Sequence, residues 1–462
     1  MAEKPLTIVI FGATGDLFQK KLAEALFDLH QKKLLPPHTE IVGFSRKPLS
    51  RDQFHAFIQN ALAAKANGKV VEPEEFVGTA LYHQGDLNSA ESYASLGKFL
   101  EERDRARGAC SDKLFYLAVP PNLYETVFTR LAKSGLTIPC APNLPDEQKA
   151  WMRVLVEKPF GSNQKEAARL DQMLGQLFDE SQIFRIDHYL AKEAVQNIIS
   201  FRFSNGLFEP LWNRAHIERV EITLREEEGA AGRGAFYDGV GALRDVGQNH
   251  ILQMLALVAM ERPETFAADA VRAARAKVLE NVALLGKIET AVSRGQYDGY
   301  QKENGVADGS ATETYFKIVA EVKNACWKGV PFVLKSGKAL NEDRTEIRIF
   351  FREEPQNVLT FSLAPREEIS MLFFGKKPGF TSEIEPKRLS FSFSDEARSR
   401  ETTSAYERVL ADCIRGDQTL FSSTREVQAE WRFIMPILEK WSKVPLMIYK
   451  KGSRGPEREY SK

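Results

Sequence analysis

The chain has little cysteine and no excess of either charge. Its 462 residues include only four cysteines, which stand far apart and form no C-x-x-C pair: Cys110, Cys140, Cys326 and Cys413. A metal site or a disulfide framework is therefore not expected, and a reducing compartment is favoured. Lysine and arginine together number 63, as do aspartate and glutamate. Without net charge or a basic run, nucleic acid is not expected as a partner.

Long apolar runs are also missing from the sequence. No segment approaches the roughly 20 apolar residues that a membrane span needs, so no membrane partner is expected. The N-terminus carries charge and leads straight into a short apolar stretch, which is not the pattern of a signal peptide. With 43% apolar residues, the chain has ample material for packed cores. These features favour a cytoplasmic globular protein, and its length favours two domains.

The first apolar run, Leu6 to Phe11, predicts a central parallel strand that is buried on both faces. The sequence G-A-T-G-D-L follows it, and apolar residues then recur at helical spacing. A strand, a glycine turn and a helix in this order present backbone N–H groups to a pyrophosphate. Because the spacing is G-x-x-G and not G-x-G-x-x-G, a plain turn is the alternative. The candidate cofactor contacts are Gly12, Thr14, Gly15, Asp16 and Leu17.

The second predicted strand, Glu40 to Phe44, is followed by Ser45-Arg46-Lys47. An NAD enzyme carries an acidic residue here for the ribose 2′-hydroxyl, whereas this chain carries two cations. The planar guanidinium of Arg46 suits a 2′-phosphate. We therefore predict NADP as the cofactor, with NAD possible and a solvated basic pair as the plain alternative.

Two further segments continue the pattern of a parallel sheet. Lys113 to Val119 and Val154 to Glu157 are predicted strands, with a predicted helix at Tyr124 to Ser134 between them. The later strand runs into Lys158-Pro159, at the edge where open α/β sheets bind ligands. Lys158 is therefore a candidate contact for a phosphate or a nicotinamide, and a solvated turn lysine is the alternative.

From about residue 215 the predicted strands follow one another without helices between them. They are Ile217 to Leu224, Tyr315 to Val322, Val330 to Leu334, Glu346 to Phe351, Val358 to Leu363 and Arg388 to Phe393. This succession predicts a large, mainly antiparallel sheet with one face covered. The flanking predicted helices are Val246 to Met260, Ala268 to Leu279, Ser404 to Cys413 and Arg425 to Lys440.

The predicted fold class is therefore α/β plus α+β. A Rossmann-type doubly wound parallel sheet occupies residues 1–186 and binds the dinucleotide. A larger α+β domain, with a mainly antiparallel sheet flanked by helices, occupies residues 187–462 and binds the substrate.

The densest group of reactive side chains is R-I-D-H-Y-L-A-K-E, which begins at Arg185. It offers a carboxylate, an imidazole, a phenol and an ammonium in Asp187, His188, Tyr189 and Lys192. If this segment is helical, His188 and Lys192 share a face and suit a phosphate. One histidine without cysteine makes a metal site a poor alternative, and no metal is expected.

The second group, R-D-V-G-Q-N-H, ends at His250 and opens a predicted apolar helix. From the residues alone, a histidine at a helix start is commonly a cap or a satisfied surface group. A general base is the competing interpretation.

Taken in order, these motifs resemble the glucose-6-phosphate dehydrogenase family. The similar segments are GATGDL, EKPFG, RIDHYLAKE, RDVGQNHILQ, VPFVLKSGKAL, AYERVL and AEWRFIMPIL, and they span essentially the whole chain. The resemblance implies that His250 accepts a proton and that Asp187 orients it. It also implies that His188, Tyr189 and Lys192 bind phosphate. The remaining implied substrate contacts are Glu226, Asp245, Lys338 and Lys158, and the remaining implied cofactor contacts are Arg46, Asp86, Leu87 and Lys158.

The resemblance further implies oxidation of glucose 6-phosphate at C1 to 6-phosphoglucono-lactone with hydride transfer to NADP, the first step of the oxidative pentose phosphate pathway. It implies a homodimer, or a dimer of dimers, through the large sheet. Asp343 stands where many relatives carry a basic residue, and Ala364 replaces a glutamine of some members. These two departures leave another hexose 6-phosphate open as the substrate. An NAD-preferring or dual-cofactor dehydrogenase also stays open, as does a non-catalytic NADPH-sensing protein.

Overall fold

The computed structural model describes residues 4–64, 73–138, 140, 150–392 and 404–456. The chain forms two compact units. The first comprises Met1–Gly161, Lys165–His188 and Thr403–Ser423, and the second comprises Ser162–Gln164, Tyr189–Thr402 and Thr424–Lys462. The domain limits 1–186 and 187–462 stay a prediction. Because residues near 404–423 belong to the first unit, one boundary in the sequence cannot separate the two units.

The first unit contains a seven-stranded sheet, whose strands are numbered here along the whole chain. They are β1 (Leu6–Phe11), β2 (Glu40–Ser45), β3 (Ala80–Gln84), β4 (Asp112–Leu117), β5 (Met152–Val156), β6 (Ile183–Ile186) and β16 (Phe421–Ser422). Their order is β16-β6-β5-β4-β1-β2-β3. All neighbours are parallel except β16, which is antiparallel to β6. This sheet confirms the predicted Rossmann-type fold.

Helices connect these strands. They are α1 (Ala23–Gln31), α2 (Arg51–Ala63), α3 (Glu74–Gly78), α4 (Ala90–Arg107), α5 (Tyr124–Lys133), α6 (Gln164–Leu177) and α12 (Ala405–Arg415). A π-helical turn, Phe18–Leu22, precedes α1, and short 3-10 turns lie at Pro121–Leu123 and Glu180–Gln182. Among the described residues, no helix is both long and apolar enough to cross a membrane.

The central strand β1 shows why this sheet forms. All six of its residues are buried, as expected for a strand covered on both faces. Its Phe11 ring packs against Phe44 at 5.2 Å and against Tyr93 at 5.8 Å between ring centroids. The chain must then turn sharply, and Gly12 does so with φ of +84°. A side chain there would place its Cβ 2.4 Å from the Ala118 carbonyl oxygen, so only glycine fits.

The second unit contains the large sheet. Its strands are β7 (Ile217–Arg225), β8 (Val282–Leu284), β9 (Val292–Tyr297), β10 (Tyr315–Val322), β11 (Phe332–Gly337), β12 (Arg344–Phe351), β13 (Val358–Ala364), β14 (Glu368–Lys376), β15 (Ile384–Ser392) and β17 (Leu446–Tyr449). Their order is β15-β14-β13-β12-β7-β11-β10-β9-β17, with β8 also paired to β10. Two pairs are parallel, β7 with β11 and β9 with β17, and the other pairs are antiparallel. The mainly antiparallel sheet is thus confirmed.

The helices of the second unit are α7 (Glu193–Ser204), α8 (Gly234–Tyr237), α9 (Leu252–Ala259), α10 (Ala268–Leu279), α11 (Ile288–Ala291) and α13 (Thr424–Glu439). Short 3-10 turns lie at Glu209–Leu211, Tyr300–Lys302 and Trp441–Lys443. The predicted helix from 246 to 260 begins earlier, as the π-helical segment Leu243–Ile251 that continues into α9. The predicted last strand is shifted to Ile384–Ser392, and Phe393 lies outside the described residues.

One expectation about the cysteines is wrong. Cys110 and Cys140 form a disulfide, with their Cα atoms 5.9 Å apart. Their sequence separation is 30, and the segment between them contains β4 and α5, which return the chain to the same end of the sheet. Distance along the sequence therefore gave no sign of the contact. Cys326 and Cys413 are free thiols.

Candidate active site

The carboxyl edge of the parallel sheet carries the predicted site residues of the first unit. Each of five strands ends within two residues of one of them. Gly12 follows β1, Arg46 follows β2, Asp86 follows β3, Lys158 follows β5, and Asp187 follows β6. Because these strands are parallel, their carboxyl ends meet at one edge, where open α/β sheets bind ligands.

The glycine turn after β1 is anchored to the neighbouring strand. The Gly12 N–H donates to the Phe44 carbonyl at 2.9 Å, and the Gly15 N–H donates to the Gly12 carbonyl at 2.9 Å. Asp16 is exposed and forms a 2.8 Å ion pair with Lys20, whose hydrogen bond lowers the pKa of that carboxyl. The turn is therefore held against β2, and its Gly15 and Asp16 are exposed.

The backbone beside Arg46 is also fixed. The hydroxyls of Thr14 and Ser45 are 2.7 Å apart and join the glycine turn to the end of β2. The Tyr82 hydroxyl donates to the Lys47 carbonyl at 2.6 Å, while the Gln84 amide donates to the Arg46 carbonyl at 3.3 Å. The Arg46 side chain itself is exposed. A held backbone, an exposed guanidinium and no carboxylate at the end of β2 fit the 2′-phosphate of NADP.

Asp86 and Leu87 are half-buried in the turn after β3. An Asp86 carboxylate oxygen accepts the Asn88 backbone N–H at 2.8 Å, and the Asn88 side chain donates to the same oxygen at 3.2 Å. The Asp86 N–H donates to the Ser92 hydroxyl at 3.0 Å. The carboxylate thus stabilises its own turn, which positions Leu87 at the same edge.

Lys158 follows Glu157, whose carboxyl is hydrogen-bonded by tyrosine hydroxyls. The Tyr116 hydroxyl donates to a Glu157 carboxylate oxygen at 2.6 Å, and the Tyr124 hydroxyl donates to the Glu157 carbonyl at 2.8 Å. Tyr406 also hydrogen-bonds the carboxyl. Part of the Glu157 residue reaches solvent, but its carboxyl lies among these tyrosines. Burial therefore raises the pKa of Glu157 to about 7, against the opposing hydrogen bond of Tyr116.

The Glu157 carboxyl makes the free energy of unfolding depend on pH, and Glu157→Gln is expected to remove this dependence. The folded pKa of about 7 lies above the ordinary value of 4.5, so the contribution is fully present below pH 4.5. It is lost as the pH rises through about 7, where the fold must hold a buried carboxylate. The pKa shift corresponds to a loss in the free energy of unfolding on the order of 3 kcal/mol. We expect the melting temperature of the wild type to fall between pH 5 and pH 8 more steeply than that of the variant.

Differential scanning fluorimetry of both proteins across this range measures the difference. Asp28, whose pKa burial raises to about 6, titrates in both proteins and cancels in the comparison. Parallel curves for the wild type and Glu157→Gln would show that the Glu157 carboxyl ionises normally.

Asp187 and His188 are the last two residues of Lys165–His188, the second segment of the first unit. Asp187 is 3% exposed and His188 is half-buried. Residues 188–192 form turns, and α7 begins only at Glu193, because Lys192 has the extended backbone of a residue before a helix (ψ of 137°). The condition for a shared helical face of His188 and Lys192 is therefore not met, and their role as phosphate ligands stays a prediction. The contact of Asp187 with His250 stays a prediction.

His250 lies inside the second unit and is not a surface group. It is 2% exposed, and its ring centroid lies 4.3 Å from that of Tyr189. The Lys192 ammonium lies 4.6 Å from the Tyr189 ring centroid. Burial lowers the pKa of Lys192, while Glu367 opposes the shift. An imidazole, a phenol and an ammonium therefore come together within one unit.

Two buried glutamates hold the segment that carries His250. The Glu430 carboxylate accepts the side-chain amides of Gln248 at 3.1 Å and Gln253 at 2.7 Å. The Glu313 carboxylate accepts the first helical N–H, that of Leu243, at 3.0 Å. Sequence reasoning missed both residues, because a glutamate on a predicted helix or loop gives no sign of burial. Glu430 does lie in the AEWRFIMPIL segment.

Glu226 and Lys338 are brought together by the sheet. They directly follow β7 and β11, a parallel pair in which Arg225 faces Gly337. Their charged groups are 2.6 Å apart, and Lys338 is 8% exposed. The Tyr237 ring lies 5.4 Å from the Lys338 ammonium. Burial, and next the charge of Asp245, raise the pKa of Tyr237, a residue that sequence reasoning did not nominate.

The departures from the family pattern have structural roles. The Asp343 carboxylate accepts the Glu227 N–H at 2.8 Å, so it fixes the loop that follows Glu226. Arg344 forms ion pairs with Glu342 at 2.8 Å and with Glu346 at 3.4 Å. Ala364 is the last residue of β13. Within the described ranges, no three His, Cys, Asp or Glu side chains are grouped so that they could hold a metal ion.

Comparison with known families and structures identifies this arrangement. Residues 9–197 match the model of the glucose-6-phosphate dehydrogenase NAD binding domain, and residues 199–461 match that of the glucose-6-phosphate dehydrogenase C-terminal domain. The chain is 37% identical to glucose-6-phosphate 1-dehydrogenase 2 of Mycobacterium bovis, covering 98% of this chain and 92% of that protein. It is also 37% identical to the Arabidopsis thaliana protein named glucose-6-phosphate 1-dehydrogenase 6, cytoplasmic, covering 98% and 89%.

Solved structures agree with the sequence comparison. A glucose-6-phosphate dehydrogenase in complex with its substrate glucose-6-phosphate superposes with a TM-score of 0.89 at 34% identity, covering 99% of this chain and 97% of that one. The family models and the relatives both extend over nearly the whole sequence. The chain belongs to the glucose-6-phosphate dehydrogenase family.

Proposed function

We propose that this protein oxidises glucose 6-phosphate at C1 to 6-phosphoglucono-lactone in the cytoplasm, as the first step of the oxidative pentose phosphate pathway. The observation that carries the proposal is the buried His250 beside Tyr189 and Lys192, in a chain whose relatives are named for this reaction. NADP, held by the first unit, would supply the acceptor for the hydride from C1. A cytoplasmic location follows the name of the Arabidopsis relative.

His250 is the proposed general base. A neutral imidazole nitrogen takes the proton of the C1 hydroxyl, and histidine suits this step because its ordinary pKa of about 6.5 lies near neutral pH. Asp187 is the proposed orienting carboxylate, which fixes the tautomer and stabilises the imidazolium. The hydrogen bonds of Glu430 to the segment that carries His250 keep the imidazole from moving.

The other predicted residues hold the sugar phosphate. His188, Tyr189 and Lys192 are the proposed phosphate ligands, and a lysine whose pKa burial lowers is poorly hydrated and ready to pair with an anion. Glu226, Asp245 and Lys338 are the proposed sugar ligands, with Lys158 between sugar and cofactor. Binding energy from the distant phosphate then places C1 for reaction.

The cofactor end is formed by the first unit. Gly12, Thr14, Gly15, Asp16 and Leu17 would hold the pyrophosphate turn, Arg46 the 2′-phosphate, and Asp86 and Leu87 the remaining edge. The exposed guanidinium at the end of β2 supports NADP over NAD. The competing functions are NAD or dual-cofactor use and oxidation of another hexose 6-phosphate. Only the second is favoured by Asp343, which stands where many relatives carry a basic residue.

Arg46→Ala tests both the reaction and the cofactor. With glucose 6-phosphate, the wild type is expected to raise the absorbance at 340 nm with NADP at a higher kcat/KM than with NAD. The variant is expected to lose about 10- to 100-fold in kcat/KM for NADP, since a charge-assisted pair is worth about 1.5–3 kcal/mol. Its kcat/KM for NAD is expected to stay within about twofold.

Arg105→Ala is the matched control, because Arg105 is an exposed arginine in the last turn of α4, away from the carboxyl edge. It should behave as the wild type. An NAD preference that survives in Arg46→Ala would contradict the assignment of NADP. Absence of any turnover by the wild type with glucose 6-phosphate, but turnover of another hexose 6-phosphate, would contradict the assigned substrate.

We also propose that the protein is a homodimer or a dimer of dimers through the large sheet. Strand β15 is the last in the order of that sheet, and apolar side chains of β14 and β15 are exposed. Phe373, Ile384, Leu389 and Phe391 are 37%, 59%, 62% and 45% exposed. An apolar edge of this kind favours pairing with a second copy. Sedimentation velocity at micromolar concentration would contradict the proposal if it gave a monomer.

A further inference from the structure

A second basic site lies in the second unit and includes none of the predicted substrate or cofactor residues. It is a cavity of about 550 Å³ between β8, α11, the end of β10 and the last turns of α13. Five cations and one carboxylate, that of Glu289, line it. The cations are Lys287, Lys323, Arg432, Lys440 and Lys443. We name this site the basic cavity.

The charge of the basic cavity is not a property of the whole chain. The protein has as many acidic as basic residues, 63 of each, whereas the cavity has five against one. In the part of the chain that the structure describes, none of the five cations forms an ion pair. Cations of neighbouring elements are paired: Arg425 with Glu280 at 2.9 Å, and Lys277 with Glu261 at 3.0 Å. The five cations therefore produce a positive potential that the single carboxylate of the cavity, that of Glu289, offsets only in part.

A helix end explains only part of this cluster. Lys440 and Lys443 follow the C-terminus of α13, where the helix dipole favours cations. Arg432 lies in the middle of α13, Lys323 follows β10, and Lys287 precedes α11. Three separate elements thus direct cations to one cavity, which is typical of an anion site.

The cavity also has an apolar wall. Its accessible apolar residues are Val282, Ala283 and Leu284 of β8, which are half-buried, and Pro436 of α13, which is exposed, while Phe433, Ile437 and Ile288 are buried. A cavity of a few hundred Å³ with an apolar wall and convergent polar groups is typical of a small-molecule site. An inorganic phosphate would leave the apolar wall in contact with water, whereas a base or another ring would cover it.

We propose that the basic cavity binds a polyphosphate anion that carries an apolar ring, of the nucleoside triphosphate class. The triphosphate pairs with the lysines and Arg432, and the base lies on the wall formed by Val282, Leu284 and Pro436. A triphosphate carries about four negative charges near neutral pH, which the five cations minus Glu289 match. The site is independent of the proposed reaction.

Isothermal titration calorimetry with ATP, without magnesium and with NADP at saturating concentration, tests this proposal. Saturating NADP keeps ATP out of the dinucleotide site. We expect one ATP per chain, and we expect the affinity to fall at least tenfold in Lys440→Gln/Lys443→Gln and when KCl is raised from 50 to 300 mM. Lys277→Gln/Lys377→Gln is the control, because both lysines are exposed, ion-paired and absent from the cavity.

Two further ligands test the ligand class. Tripolyphosphate is expected to bind more weakly than ATP, because it leaves the apolar wall uncovered, and adenosine is expected not to bind. Equal affinities for ATP and tripolyphosphate would overturn the assignment of a ring. No binding of ATP at millimolar concentration, or equal affinities of the two double variants, would overturn the site itself.

Discussion

Replacing His250 by asparagine is expected to lower kcat for glucose 6-phosphate by about 10³- to 10⁴-fold, the upper range for loss of a general base. Asparagine is polar and fits within the space of the imidazole, but it cannot accept a proton near neutral pH. The KM for glucose 6-phosphate is expected to change little, because the proposed phosphate ligands are retained. Stopped-flow and steady-state absorbance at 340 nm measure both constants.

The control is His38→Asn, the same substitution at an exposed histidine of the first unit. His38 has φ of +57°, a backbone conformation that asparagine adopts readily, so the fold should not change. It is expected to keep the wild-type kcat. Because the Tyr189 ring packs on His250, far-UV circular dichroism must show that His250→Asn is folded. A folded His250→Asn with more than a tenth of the wild-type kcat would exclude His250 as the base.

Much of the fold could be predicted because the spacing of apolar residues along a helix or strand follows which of its side chains are buried. β10 and α10 have the predicted bounds, Tyr315–Val322 and Ala268–Leu279. In β12 the residues alternate between half-buried and buried along most of the strand, as its sequence predicts. Strands without a regular burial pattern were missed. β16 has only two residues, β17 has one buried residue, and β14, although nine residues long, does not alternate between buried and exposed positions.

Candidate site residues could be predicted where they directly follow a buried strand. Gly12, Arg46 and Lys158 are recognisable because a buried run stops just before each of them. His250 is different, since its residues alone favoured a cap or a surface group, and only the family resemblance indicated a base. The segment that carries it is held by a hydrogen bond between Gln248 and Glu430, which are 182 residues apart in sequence. The basic cavity likewise combines cations from position 287 to position 443, which no local pattern joins.

Arg275→Met is expected to destabilise the fold by about 3–5 kcal/mol, more than any other exchange considered for stability. The Arg275 guanidinium on α10 and the Glu426 carboxylate on α13 are both 0% exposed, and their Nε and Oε1 atoms are 2.7 Å apart. Removing the arginine leaves the Glu426 carboxylate buried without the Arg275 guanidinium. The midpoint of urea unfolding, followed by far-UV circular dichroism, measures the change.

The double variant Arg275→Met/Glu426→Leu separates the buried charge from the packing. With both charges gone, similar volumes remain, and most of the lost stability is expected to return. Arg425→Met is the matched control, because Arg425 also lies on α13, its partner Glu280 directly follows α10, and the arginine is 59% exposed. Solvent screens that pair, so its loss is expected to change stability by less than about 1 kcal/mol. If the double variant were as unstable as Arg275→Met, the pair would be needed for the packing of α10 on α13, and the buried charge would not be the cause.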